Sequence, residues 1–393
     1  MESYIAEWLS LLTRWLHVIT GIAWIGASFY FVWLDNHLEP HRGANQRISG
    51  ETWSIHGGGF YHNQKYLLGP EALPQTLHWF KWEAYFTWLS GMGLLAIVYW
   101  WGASAYLIDR GVADLQVASA IGISAGSLAA GWLVYDGLCR RIRNELALGV
   151  IVYVLLVAAA WGFHQLFGAR AAYLHVGAVI GTIMVWNVFF VVIPGQEKMV
   201  ATIAAGGTPD PAPGIAGKQR SVHNNYFTLP VLFIMSSSHY PMTYGHRHGW
   251  LVLALIMAAG VLIRHFFNLR HKGRIVVALP AAAVALLAAL AFAIAPERAP
   301  GAAAPQAVPF AQVQAVIAER CESCHAERPA QAGFAQAPGG VMLDTPARIA
   351  AAAPRIHQQV VVARTMPIGN LTRMTEPERA LVGAWIAAGA RTD

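Results

Sequence analysis

The sequence predicts an all-α protein in two parts, a bundle of eight transmembrane helices and, after it, a small helical domain. Three observations carry that reading. The chain is 56% hydrophobic and only 12% charged, against roughly 25% charged residues in soluble domains. Its apolar residues gather before Pro296 in stretches near the ~20 residues needed to cross a bilayer. A Pro/Ala segment, PERAPGAAAPQAVP, then separates those stretches from an ordinary amphipathic tail, as a semi-rigid linker would. The parts are therefore a membrane domain at 1–295, a linker at 296–309 and a tail domain at 310–393.

Taken in order, the apolar stretches lie at about 8–34, 83–107, 115–135, 146–167, 173–194, 226–241, 249–269 and 275–295. The sixth is short and carries Pro230, Pro241 and three serines, so it reads as a broken or re-entrant segment. Orientation follows from the lysines and arginines between the stretches. The first, third, fifth and seventh loops hold thirteen; the second, fourth and sixth hold Arg110, Arg170 and Arg247 alone. Cytoplasmic loops collect positive charge, so the odd loops are expected inside and both termini outside, in the periplasm of a bacterial inner membrane. Glu2 and Glu7 replace the basic start of a cleavable signal peptide; the last span can itself start export of the tail. The net charge of +6 follows from this asymmetry. A lipid bilayer is the implied partner, and nucleic acid, which needs a basic patch on a soluble module, is not.

In the tail, Cys321-Glu-Ser-Cys324-His325 is a C-x-x-C-H run, the attachment signature of covalent haem c. The two thiols bond the haem and His325 becomes an axial ligand of its iron. A zinc half-site would need a second ligand pair, and the only other cysteine, Cys139, lies far upstream; a thioredoxin-like redox pair is the other reading. Met366, followed by Pro367, is the expected second axial ligand, with Met342, Met374 and His357 as rivals. His/Met ligation raises the potential of an electron-transferring iron. Phe310–Arg320 reads as a helix delivering the motif, and Thr375–Ala390 as a last helix with a Thr N-cap and Leu381, Val382, Trp385 and Ile386 at helical spacing. First and last helices packed over a haem resemble class I cytochromes c.

Histidines and two polar loops supply the remaining chemistry. A histidine within a span is costly unless it faces the interior and finds a partner. His17 and His175 are expected near one depth, as a possible haem b pair. Loop one contains Trp53-Ser-Ile-His56-Gly-Gly-Gly-Phe60, and loop five ends in Lys218-Gln-Arg220-Ser-Val-His223-Asn224-Asn225-Tyr226. Cations and amides beside a broken span suit an anion held near the bilayer. The plain alternatives are a flexible glycine connector and positive-inside residues followed by turn formers.

Together, the run Arg14-Trp-Leu-His17-Val-Ile-Thr-Gly-Ile-Ala-Trp24, the loop around His56, Val222-His-Asn-Asn-Tyr-Phe-Thr-Leu-Pro230 and the Cys321 and Met366 motifs resemble the bacterial membrane-bound urate oxidases. That family fuses an eight-span domain to a cytochrome c. The resemblance implies oxidation of urate to 5-hydroxyisourate in purine degradation, with electrons passed to the fused haem and on to an acceptor such as a terminal oxidase or soluble cytochrome. Only the haem ligands carry over residue by residue. Urate is an anion, so Arg220 and Asn224 are the expected binding residues, and His223 or His56 the expected base. A quinol-linked respiratory subunit is the main alternative. A porphyrin-handling membrane protein and a non-enzymatic electron conduit are two others.

Overall fold

A computed structural model describes residues 2–295 and 308–392, so the linker at 296–309 lies almost wholly outside the described residues. Each of the eight apolar stretches is helical. They form α1 (Glu2–Asn36), α2 (Trp82–Leu94, continued to Tyr106), α3 (Val117–Arg141), α4 (Glu145–His164), α5 (Ala169–Asn187, continued to Ala204), α6 (Ala212–Ser237), α7 (Gly249–His271) and α8 (Ala278–Ala293). Five are long and apolar enough to cross a membrane by length and composition: Tyr4–Asn36, Val117–Arg141, Glu145–His164, Ala169–Ala204 and Gly249–His271. Their outward faces are apolar, as at Trp8, Leu12, Trp15 and Ile22 of α1.

Two helices widen locally. In α2, Leu95–Trp101 forms a π-helical stretch, and in α5 a shorter one covers Val188–Val192. Pro194 explains the second: lacking an N–H, it frees a carbonyl one turn earlier and the chain widens to pass it. Pro230, by contrast, does not break α6. The helix runs through it, and Gly260 of α7 packs there, where a Cβ would stand 3.4 Å from the proline ring. The sixth segment is thus continuous rather than broken, and it begins well before the predicted 226, taking in the polar run at Lys218–Tyr226.

Loop one is the other departure from expectation. It holds a two-stranded antiparallel hairpin, β1 (Ile48–His56) and β2 (Gly59–Tyr66). Gly57 and Gly58 both have positive φ, 56° and 82°, as a two-residue turn matched to the strand twist requires. The glycine run therefore turns a hairpin.

The loops sort to two ends of the bundle. Asp35 pairs with Lys65 of the hairpin and with Lys218 of α6 at 3.8 Å, and His37 packs on His271 at the end of α7. Glu145, at the start of α4, bonds Gln219 of α6. The first, third, fifth and seventh loops thus share one end. At the other, the Gly168 amide bonds the Leu107 carbonyl at 3.1 Å, and the tail rests there: a Cβ on Gly369 would lie 2.7 Å from the carbonyl oxygen of Ile108.

The tail is a separate helical core. α9 (Phe310–Arg320) ends at Cys321, a single turn α10 (Glu322–His325) carries the motif, and α11 (Pro346–Ile356) and α12 (Glu376–Ala387) follow. Thr375 caps α12 as expected, in a reciprocal box with Glu378. Phe310 and Trp385 meet with ring centroids 5.7 Å apart, so the first and last helices cross over one core with Val313, Ile317, Ile349 and Val382.

Candidate functional site

The polar run that reads as a loop in sequence is helical because its face is needed inside. Among the buried positions of α6, Gly217, Arg220, Asn224, Thr228, Val231, Ile234 and Ser237 recur every three or four residues and keep one stripe turned to the bundle, with Asn225 and Pro230 beside it. The apolar part of the stripe packs on α5; the polar part meets α3, α4 and α5 at the hairpin end.

Arg220 is the centre of that meeting. It is 3% exposed, and its Nη2 donates to Asp136 Oδ1 at 2.7 Å. Asp136 accepts on its other oxygen from Arg140 Nε at 2.7 Å. The guanidinium carbon stands 5.0 Å from the centroid of the Tyr135 ring. Yet Nε and Nη1 of Arg220 are buried with no partner. Asn187 donates from Nδ2 to Tyr135 OH and to Asn224 Oδ1, both at 3.1 Å, while its own Oδ1 is buried without a partner. Trp132 Nε1, one turn of α3 from Asp136, is a further buried donor without a partner. Leaving one buried polar atom unpaired costs about 1–3 kcal/mol, and more for a charged group. Cationic donors and an amide oxygen left over on two residues that contact Tyr135, with an indole N–H one turn of α3 away, are the complement of a polar, anionic molecule. Aromatic rings flank them, with Trp132 5.6 Å from Trp186 and 4.9 Å from Phe190.

His223 lies beside this group. Its Nδ1 shares a 2.7 Å hydrogen bond with Tyr135 OH, and its Nε2 is 3.0 Å from Glu145 Oε2. Arg220, Asn224 and His223, three residues singled out from sequence, are thus brought together. Asn224 is engaged at both ends of its amide, accepting on Oδ1 from Asn187 and donating from Nδ2 to the Met184 carbonyl at 2.9 Å. It positions Asn187 rather than facing the open donors. His56 is not part of the group. It sits exposed at the hairpin tip, about 20 Å of strand from Lys65, whose partner Asp35 also pairs with Lys218 of α6.

His17 and His175 are not brought together either. His17 Nδ1 bonds the Thr87 carbonyl at 3.0 Å and lies 3.1 Å from Ser90 Oγ. His175 packs against Tyr99, nine residues beyond Ser90 on α2 and so about 13 Å deeper. Both nitrogens of His175 are engaged, Nδ1 with the Ala171 carbonyl and Nε2 with Ser124 Oγ, each at 2.7 Å. An axial pair must face each other at one depth, so these two residues do not fit a haem b between them.

The tail residues do fit a covalent haem. Cys321 and Cys324 are unpaired thiols on one turn, and burial pushes the Cys321 thiol up to about 12, the mark of an apolar lining. His325 Nδ1 donates to the Val341 carbonyl at 2.9 Å, which leaves Nε2 free for iron and sets the ring. Met366 packs half-buried against the same core cluster as Cys321. Of its rivals, Met374 is 4% exposed within that core, His357 points to solvent, and Met342 follows the residue that binds His325.

Tyr135, Asp136, Glu145, Asn187 and Trp132 belong to the site and were missed in the sequence. Asp136 alone gave a signal, as an acidic residue close to an apolar stretch. A family model described as urate oxidase N-terminal matches residues 3–295. No curated protein and no solved structure matches the chain.

Proposed function

We propose that this chain, which belongs to the urate oxidase N-terminal family, oxidises urate to 5-hydroxyisourate in a membrane and passes the electrons to haem in its tail. The observation that carries the reading is that Nε and Nη1 of Arg220 and Oδ1 of Asn187, two residues that both contact Tyr135, are buried without partners. Urate is a planar anion edged with carbonyl oxygens and ring N–H groups. The two guanidinium donors clamp an oxygen-bearing edge, as the fixed fork of arginine does for planar anions. Asn187 accepts from a ring N–H, Trp132 donates to a further oxygen, and Asn224 keeps the Asn187 amide in place. His223, reached through Tyr135, is the base. Cys321 and Cys324 would hold haem c, with His325 and Met366 as the ligands to its iron, and the haem would supply a one-electron acceptor.

The positive-inside asymmetry puts the hairpin end in the cytoplasm and the tail in the periplasm, with eight crossings between. The run of α3 from Val117 to Tyr135 then sets about 27 Å between the substrate and the tail. The interior along that line is aromatic. At the site end Trp186 stands 5.6 Å from Trp132 and 5.8 Å from Trp88, and Trp100 is held by Ser124 beside His175 nearer the tail.

Adding urate to membranes that hold the protein is expected to reduce the c-haem absorption band without peroxide release. Arg220→Ala should abolish that reduction while leaving haem content intact; a variant that turns over within twofold of the parent overturns the assignment. A second reading has one observation in its favour. A cleft of about 560 Å³, lined by Arg110, Asp114, Gln116 and Arg373, lies between the second loop and the tail, close to the Met366 loop. A substrate bound there would make turnover depend on Arg110 and Arg373 instead. Reduction by quinol alone would favour a respiratory role.

A further inference from the structure

We propose that Tyr135, His223 and Glu145 form a proton relay from the buried group around Arg220 to the hairpin face of the bundle, an inference that rests on the urate reading above. Three helices supply one group each: α3 the tyrosine, α6 the histidine and α4 the glutamate. Exposure rises along the line. Tyr135 is 2% exposed, and the side chains of His223 and Glu145 are 14% and 60% exposed. The separations are 2.7 Å and 3.0 Å, hydrogen-bond lengths throughout.

One assignment of hydrogens satisfies every contact. A carboxylate only accepts, so His223 Nε2 carries the hydrogen given to Glu145. In a neutral imidazole Nδ1 then accepts, and Tyr135 OH donates to it. The tyrosine oxygen is left to accept from Asn187 Nδ2 at 3.1 Å. All the donors point outward from the pocket, which is the direction protons must leave. Gln219 Nε2 donates to the second oxygen of Glu145 at 2.7 Å and fixes the carboxylate at the start of α4.

The other charged and titratable groups around His223 do not offer this route. Asp136 has one oxygen bonded by Arg220 and the other by Arg140. Cys139 Sγ is 3.9 Å from Nδ1, and α5 contributes only the neutral Asn187. A structural staple between α4 and α6 would need the His223–Glu145 contact alone. It would not need a buried tyrosine on the other nitrogen, beside donors that lack partners.

The chemistry requires such an exit. Urate and one water give 5-hydroxyisourate, two protons and two electrons. A haem held in the tail would serve as the one-electron acceptor for both electrons. For each proton, the Tyr135 oxygen takes it from the substrate as its own hydrogen passes to His223 Nδ1. The Nε2 hydrogen moves to Glu145 and then to water, and the imidazole turns over before the next pass.

The test uses the full-length protein reconstituted in vesicles. Glu145→Gln keeps an oxygen for His223 Nε2–H but cannot take the proton, so kcat for urate should fall ~10-fold or more with KM within twofold and c-haem content unchanged. Glu145→Ala should regain turnover with added acetate, because the position is open to solvent; a staple would show no such rescue. In the unaltered protein a pH dye should report protons on the hairpin face, a readout that needs no variant. Full kcat and an unchanged pH profile in Glu145→Gln, or protons released on the tail face, overturn the relay. If Arg220→Ala is inactive in that case, the pocket stands without the relay; if Arg220→Ala turns over normally, the urate reading falls and the relay with it.

Discussion

Arg220 in the membrane half and Arg379 in the tail are both buried, at 3% and 7% exposure, yet they are solved differently. Arg379 donates from Nη1 to the carbonyls of Val360 and Met366, at 2.8 and 2.6 Å, and its Nε lies 3.7 Å from Glu376. It ties the Met366 loop to α12, and no buried nitrogen is left over. Arg220 has one bonded nitrogen and two buried ones without partners. A folded chain that needed only a staple would not leave cationic donors dry. The difference separates an arginine that completes a fold from one that waits for a ligand.

Substituting lysine at each position should break the comparison in opposite directions, and this is the largest effect expected beyond loss of the arginine itself. Lysine keeps the charge but not the fork. Arg220→Lys should lower urate turnover on the order of 100-fold, the scale of losing an oriented donor, with the thermal stability of the protein unchanged. Arg379→Lys should leave KM for urate unchanged and destabilise the tail by about 2 kcal/mol, seen as earlier thermal loss of the c-haem band. A stability loss at Arg220 with turnover preserved would reverse the two roles. Asn187 tests the neutral side of the same pocket. Asn187→Leu removes the unpaired acceptor and the bond to Tyr135, and should raise KM for urate ~10-fold with little change in haem reduction by a chemical reductant.

Legibility in the sequence differed between the two regions for a physical reason. The tail was readable almost to the residue. Phe310–Arg320 is helical as expected, and the Thr375 cap forms, because local capping and amphipathic spacing decide both. In the membrane half, hydrophobicity located eight helical stretches but could not see which polar residues turn inward. Lys218–Tyr226 looked like a loop since its polarity was counted against a span; its spacing at Arg220, Asn224 and Thr228 was already helical. The glycines after His56 read as part of a polar functional loop or as a flexible connector, whereas the alternation around Trp53 and Ile55 with a Gly-Gly pair was a hairpin signal. His17 and His175 were matched by counting residues from loop ends, which gives depth only if helices run regularly. α2 shows where each really sits. Asn187 and Tyr135 had no sequence signal, because an amide and a phenol in apolar helices become a site only when a neighbour's polar stripe meets them.

The smallest effect concerns an arginine pair that is neither buried nor left open. Arg348 Nη1 donates to Asp344 Oδ1 at 2.7 Å, and the Glu327 amide bonds the other oxygen at 3.0 Å. The Arg348 hydrogen bond first, and the Glu327 amide after it, hold the Asp344 carboxyl below its usual value of 3.8. A carboxyl depressed on folding adds stability that is present above its unfolded pKa and disappears as pH falls through the folded one. The difference in tail stability between the parent and Asp344→Asn should therefore be constant from neutral pH down to about 5 and shrink below about 4. Thermal melts followed at the c-haem band across that range would show it. A difference that persists unchanged at pH 3 would mean that Asp344 acts through packing, and that solvent, which weakens exposed ion pairs, has left this one nothing to lose.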